Sequence, residues 1–286
     1  MIQKIYKKAL SCLRNFIDAV LWFVLRLVVM LLGTQSVKKK LLLNVLGSNL
    51  NQTLDNNEVD KIANFSAYLR DAWVAKKAML VKKDAKVLDA GAGQCQYKSL
   101  FSHTNYYAQD FAQYEGNESG PLKETWAYGK LDYICDITDI PVDDNTFDVV
   151  ICTEVLEHLS NPVGALKELA RVLTPGGSIL ITAPLGSGVH QEPYHFYGGF
   201  SPYFYQHYLS QFGIEIVEIT PIGGLMKNVA QETLRVAREL TAQHQLNEIE
   251  KVIFESWLPN KLYNLDDKYL IEQFTVGYLL EGKKSQ

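Results

Sequence analysis

The chain has 286 residues, 28 Lys plus Arg against 32 Asp plus Glu, a net charge of −4 and 47 % hydrophobic residues. That composition folds and is neither disordered nor collagen-like, and the length suits one large domain with additions or two small ones. Mild acidity supplies no general attraction for a phosphate backbone, so nucleic acid is not expected as a partner without a local basic patch.

Four cysteines, Cys12, Cys95, Cys135 and Cys152, are widely separated and show no CxxC spacing. They suggest neither a disulfide framework nor a zinc site, and a reducing cytoplasm is the simplest location. Cys135 and Cys152 sit in apolar runs, where a thiol acts as a small core hydrophobe.

From Ala19 to Leu32 the sequence AVLWFVLRLVVMLL is an apolar run broken by Arg26. It is shorter than the ~20 residues of a spanning helix. On a helix, Lys4, Lys7, Lys8, Arg14, Asp18 and Arg26 share one side and leave a wide apolar face. Two placements stay open: a helix in a membrane interface, supported by Lys38, Lys39 and Lys40, or a cap helix against the domain or a second subunit. The first would put the protein at the inner face of the membrane, the second would suit a homo-oligomer.

Gly47 to Asn57 reads as a loop, and the expected organisation is a helical extension over 1–57, a core over 58–225, a helical insertion over 226–270, and a last strand with the tail over 271–286. Glu58 to Val81 has apolar residues at helical spacing and predicts one long helix. Short apolar runs follow at Lys86 to Ala90, Tyr106 to Gln109, Tyr133 to Cys135, Phe147 to Cys152, Ser178 to Thr182 and Ile214 to Ile219. Helices over Val163 to Leu173 and Ser201 to Phe212 alternate with them, and Phe274 to Leu280 closes the sheet beside the Ile214 strand. The fold class is α/β, a Rossmann-like, seven-stranded, mostly parallel sheet with helices on both faces.

The run KVLDAGAGQCQY (86–97) is a strand that ends in Asp89 and opens into Gly91, Ala92 and Gly93. Glycines there let a nucleotide-like ligand approach the backbone. A dinucleotide fingerprint would want a glycine at Gln96 and no carboxylate before the first glycine, so a pyrophosphate is disfavoured. An acid at that strand end suits a cationic ligand, and S-adenosylmethionine carries an ammonium and a sulfonium without a phosphate. Asp110, at the end of strand 2, can accept both ribose hydroxyls, with Phe111 beside it. Asp136, with Ile137, is placed beside the adenine amine.

VLDAGAG (87–93), DITDIPVDDNTFDVVICTEVLEH (136–158) and RVLTPGGSILITAP (171–184) resemble the class I S-adenosylmethionine-dependent methyltransferases, specifically the broad small-molecule group called type 11. The resemblance covers about residues 80–220 and puts family motif positions on Asp89, Gly91, Gly93, Asp110 and Asp136, with Thr153 and Glu154 after the fourth strand. Where many members have a third glycine, this chain has Cys95.

Methyl transfer from a sulfonium to a hydroxyl needs alignment and a base near neutral pKa, which histidine supplies. Two clusters lie past strand ends: Glu154, Glu157 and His158, and then His190 and His195 in an aromatic loop holding Tyr194, Phe196 and Tyr197. His190 or His195 is the expected base, while His207 on the aromatic helix reads as structural. Glu154, Glu157 and His158 share a face if helical and, with a later histidine, could converge on a divalent ion, Mg²⁺ or a similar one. That arrangement resembles the metal site of plant small-RNA 2′-O-methyltransferases. The EPYHFY segment resembles methyltransferases found among cell-envelope polysaccharide functions. The expected activity is O-methylation of a sugar, glycan or related hydroxylated small molecule. The alternatives are a quinone or lipid O-methyltransferase using a divalent ion, and a non-catalytic cofactor-binding scaffold.

Overall fold

The computed structural model describes residues 56–117 and 124–286. The expectations placed on the N-terminal apolar run lie outside those residues. Asp60–Glu232 with Lys261–Gln286 forms one compact unit, and Thr233–Asn260 belongs to a second.

The first unit is built on a seven-stranded sheet. Its strands are β1 (Lys86–Ala90), β2 (Asn105–Asp110), β5 (Tyr133–Ile134), β6 (Phe147–Thr153), β7 (Leu173–Pro184), β8 (Ile214–Pro221) and β9 (Gly277–Lys284). The order is β5-β2-β1-β6-β7-β9-β8, with β9 antiparallel to both neighbours and the other pairs parallel. Along β6, Val150 and Cys152 face one core and Val149 and Ile151 the other, the period-2 signature of a strand covered on both faces. Helices α3 (Pro162–Val172) and α4 (Pro202–Gln211) cover the first face through Leu166, Leu169, Tyr205 and Leu209. Helix α2 (Phe65–Ala78) covers the second through Phe65, Trp73, Val74 and Ala78.

Four elements depart from the sequence reading. The long helix expected over 58–81 is two, α1 (Asn56–Ala63) and α2, interrupted at Asn64. Asn64 leaves helical dihedrals, with φ −118° and ψ 22°, and the residue after the break, Phe65, is fully buried. A short hairpin, β3 (Gly116–Asn117) with β4 (Glu124–Thr125), follows β2 and had no alternating pattern to announce it. The last strand starts at Gly277 rather than Phe274, because Thr275 Oγ1 donates to the carbonyls of Ile222 and Gly277 at 3.0 and 3.1 Å and holds the chain in a turn first. The stretch expected to be helical over 226–267 divides into α5 (Leu225–Ala242), α6 (Glu248–Val252) and α7 (Leu258–Asp266), with a π-helical turn at Ile253–Trp257. Asp266 caps the start of α5, accepting from the amides of Gly224, Met226 and Lys227 at 2.8, 3.1 and 3.2 Å. Among the described residues no helix is long and apolar enough to cross a membrane.

Candidate active site

A cleft of about 710 Å³ opens beyond the carboxyl ends of β1, β2 and β6, where ligands of open parallel sheets bind. Asp89, Gly91, Ala92, Gly93, Asp110 and Phe111 line one part of it. Asp136, Ile137, Thr153, Glu154 and His158 line another. Of the sequence-selected residues, Glu157, His190 and His195 are not in its wall.

The glycine turn is tight for reasons the structure makes explicit. Gly91 has φ +73°, and a Cβ on it would lie 2.4 Å from Val155 Cγ2. Its amide donates to the Gln109 carbonyl at 2.9 Å, which ties the turn to β2. The Gly93 amide donates to Asp110 Oδ2 at 2.9 Å, and Asp110 Oδ1 accepts from the Ala112 amide at 3.0 Å. Each oxygen keeps a second lone pair, so the carboxylate is oriented and can still accept two hydroxyls. Cys95 has φ +58°, a left-handed backbone state that a glycine adopts without strain, so here an ordinary side chain holds a conformation that favours glycine.

Asp89 is 2 % exposed and its Oδ2 accepts from Tyr106 Oη at 2.5 Å. Burial, with the charge of Asp110, raises its pKa to about 6 against the lowering effect of the Tyr106 hydroxyl. Asp136 Oδ1 accepts from both the amide and the hydroxyl of Thr138, at 2.8 and 2.7 Å, fixing the loop after β5. Cys152 is fully buried as expected, whereas Cys135 is half-buried and belongs to the cleft wall.

Sequence reasoning missed Arg70 and Trp126. Arg70 reaches the cleft from α2, its Nε 3.0 Å from Tyr97 Oη and its Nη1 3.7 Å from Glu154 Oε2. It precedes the glycine motif by a whole helical segment, and no short-range pattern marks it. Trp126 packs across the glycine turn, with its Cζ2 2.9 Å from where a Gly93 Cβ would stand. Tyr114 and Tyr128 flank it at 5.4 and 6.1 Å between ring centroids. The WAY triplet at 126–128, in an otherwise polar stretch, was the available signal.

Glu154, Glu157 and His158 do not share a helical face. Leu156–His158 is a single 3-10 turn, and α3 begins only at Pro162, where Asn161 accepts from the Gly164 amide at 2.9 Å. Glu154 itself has φ +54° and turns away, its Oε1 accepting from Thr182 Oγ1 at 2.7 Å. Glu157 is 1 % exposed, and burial together with the nearby Glu154 charge pushes its carboxyl well above the usual range. Its Oε2 is buried with no hydrogen-bond partner.

The aromatic loop is buckled onto this turn. The amides of Phe196 and Tyr197 donate to the Glu157 carbonyl at 2.9 and 3.1 Å, and His158 Nδ1 donates to the Tyr194 carbonyl at 2.9 Å. His158, His190 and His195 are thereby gathered, with ring centroids 4.8, 5.9 and 4.7 Å apart for the pairs 158–190, 158–195 and 190–195. Burial lowers the His158 pKa to about 4, and its two histidine neighbours add to the effect, so that ring is neutral. Ser187 Oγ stands 3.1 Å from the Gly198 carbonyl and 3.2 Å from His195 Nε2, which ties the His195 ring to the loop. Phe111 and Tyr194 meet edge to face at 4.9 Å between the donor-side residues and the histidines.

Magnesium does not fit the donors brought together. It takes oxygen ligands in near-ideal octahedra, whereas the group that converges is Glu157, His158 and His190, with Glu154 engaged by Thr182.

A family model described as a methyltransferase domain matches residues 88–181. The chain is similar to Probable tRNA methyltransferase 9B of Homo sapiens, 31 % identical over 123 residues, which cover 41 % of this chain and 26 % of that protein. It is also similar to the ubiquinone/menaquinone biosynthesis C-methyltransferase UbiE of Idiomarina loihiensis, 29 % identical over 127 residues covering 41 % of this chain and 50 % of that one. The chain thus spans no more than half the length of these curated relatives. Among solved structures, the YcgJ protein of Bacillus subtilis superposes with a TM-score of 0.45 at 17 % identity, covering 77 % of this chain and 99 % of that one. The match to a methyltransferase domain thus spans β1 to β7 and takes in the glycine turn and the turn after β6.

Proposed function

We propose that the chain carrying this S-adenosylmethionine-dependent domain O-methylates a hydroxylated small molecule of the sugar class. The observation that carries the reading is the histidine cluster, held against the wall of the donor cleft by the Glu157 turn and bordered by Phe111, Tyr194 and Phe196. Aromatic faces suit the C–H surfaces of a sugar ring, and a neutral imidazole suits a hydroxyl that must lose its proton.

On the donor side, Asp110 takes the ribose hydroxyls, Asp136 and Ile137 border the adenine, and Gly91 to Gly93 with Thr153 leave room for the methionine portion. Arg70 is the cation available for the methionine carboxylate. The domain's donor, S-adenosylmethionine, supplies an already activated methyl group, so the protein's task is alignment and proton removal. His195 would accept the proton of the acceptor hydroxyl as its oxygen attacks the methyl carbon, and the C–S bond pair would pass to the donor sulfur to leave S-adenosylhomocysteine.

The test is transfer of radiolabelled methyl from S-adenosylmethionine to parallel panels of glycosides and nucleotide sugars, quinols, and bulk tRNA. Label in the sugars that falls by about 100-fold in His195→Gln, with S-adenosylhomocysteine affinity unchanged, supports the reading. Label confined to quinols or to tRNA replaces the substrate class. Tight S-adenosylhomocysteine binding with no transfer to any panel leaves a cofactor-binding scaffold.

A further inference from the structure

The geometry points to a nitrogen-rich transition-metal site on the turn after β6, formed by Glu157, His158 and His190. One donor atom from each lies within 4.8 Å of the other two. A shared ion with bonds of about 2.1 Å would draw such donors to roughly 3 to 3.5 Å, a closure that the exposed His190 loop can supply.

The hydrogen bonds prepare the donors for that use. His158 Nδ1 donates to the Tyr194 carbonyl and His190 Nδ1 to the Gly188 carbonyl, each at 2.9 Å. Both rings are therefore fixed in the tautomer that leaves Nε2 as a lone pair, which is how metal-ligating imidazoles are held by their outer shell. The third donor is the unusual one. Glu157 is a carboxylate inside the fold whose Oε2 meets no donor, while its Oε1 stands 3.7 Å from His158 Nε2. A buried carboxyl with an oxygen left unpartnered is costly, and a cation held by Glu157 and the two imidazoles would offset that cost by favouring the ionised carboxylate.

Two imidazoles and one carboxylate are the donor set of Zn²⁺, Fe²⁺, Mn²⁺ or Co²⁺, not of Mg²⁺ or Ca²⁺. The loop that carries His190 is already pinned to Glu157 through the Phe196 and Tyr197 amides, so the ordering cost of assembling the ligands is largely met by the fold. His158 also lines the cleft, so an ion here would border the acceptor end with coordination positions left open. Ion binding stands on this geometry alone; only its service to an acceptor hydroxyl rests on the methyl-transfer reading.

The experiment is calorimetric titration of chelator-treated full-length protein with Zn²⁺, Co²⁺ and Mg²⁺ separately, with S-adenosylhomocysteine affinity measured on every sample. One Zn²⁺ or Co²⁺ per chain is expected, bound at least about 100-fold more tightly than Mg²⁺. His190→Ala and Glu157→Gln should each weaken that binding by at least about 10-fold while S-adenosylhomocysteine binds as before. His190 is exposed, so its loss does not threaten folding, and unchanged cofactor affinity verifies the Glu157→Gln variant. No Zn²⁺ or Co²⁺ binding by the wild type, equal binding by His190→Ala, or a preference for Mg²⁺ would overturn the site. Loss of S-adenosylhomocysteine binding by the wild type would instead strike the methyltransferase reading and leave the metal titration readable.

Discussion

Replacing Gly91 by alanine tests whether the cofactor turn is shaped by one contact, the approach of Val155. Two separable costs are expected. The first is backbone: at φ +73° an L-residue loses about 1 kcal/mol relative to glycine. The second is steric, because the new Cβ would sit 2.4 and 2.8 Å from the two Val155 methyls, and overpacking of that kind costs about 1 to 3 kcal/mol. Gly91→Ala should therefore lose about 2 to 4 kcal/mol in urea unfolding followed by circular dichroism. The double variant Gly91→Ala with Val155→Ala separates the two parts. Removing the methyls relieves the steric cost and leaves the backbone one, so the cycle should show a favourable coupling of about 1 to 3 kcal/mol. S-adenosylhomocysteine affinity should fall in the single variant and partly recover in the double. A Gly91→Ala loss under about 0.5 kcal/mol, or additive single costs, would refute the reasoning by showing that the turn relaxes away from Val155.

Asp110→Ala removes an acceptor that also fixes the Gly93 and Ala112 amides, so S-adenosylhomocysteine affinity should fall by about 10- to 100-fold in calorimetry; affinity within twofold of wild type would sink the ribose assignment. Asp89 gives a pH signature. Its folded pKa of about 6 lies above the ordinary aspartate value of 3.8, so its relative stabilisation is full below pH 4 and is lost as pH rises through 6. Urea midpoints of wild type should decline over that window relative to Asp89→Asn, by a total on the order of 3 kcal/mol; parallel curves for the two proteins would exclude a raised Asp89. Trp126→Ala strips the ring that covers Gly93 in the cleft wall and should weaken cofactor binding by about 10-fold, with the urea midpoint little changed. A variant with wild-type affinity would make Trp126 packing only.

The parts of this molecule that the sequence made legible are those whose physics is local. Strand β6 announces itself because VVIC must be apolar on both faces of a covered sheet, and the glycine turn because φ values of +73° and +49° admit few other residues. Cys95 shows the boundary of that logic: it holds the same left-handed backbone with an ordinary side chain, so the missing glycine was weaker evidence against the turn than residue identity suggested. The Glu154, Glu157 and His158 run misled for a related reason. Spacing of i, i+3 and i+4 converges only on a helix, and Glu154 at φ +54° followed by a single 3-10 turn sends its carboxylate to Thr182 instead. What brings His158 to His190 is the pair of amides at 196 and 197 on the Glu157 carbonyl, and main-chain bonds between segments tens of residues apart leave no trace in side-chain patterns. Arg70 is hidden in the same way: it stands three and four residues before the buried Trp73 and Val74 of the same helix, and only the fold shows that its side chain reaches the cleft. Sequence thus reveals where backbone geometry restricts residue choice. The histidine end of the cleft is set by how loops are tied to one another, and there the same residues permit several arrangements until the ties are seen.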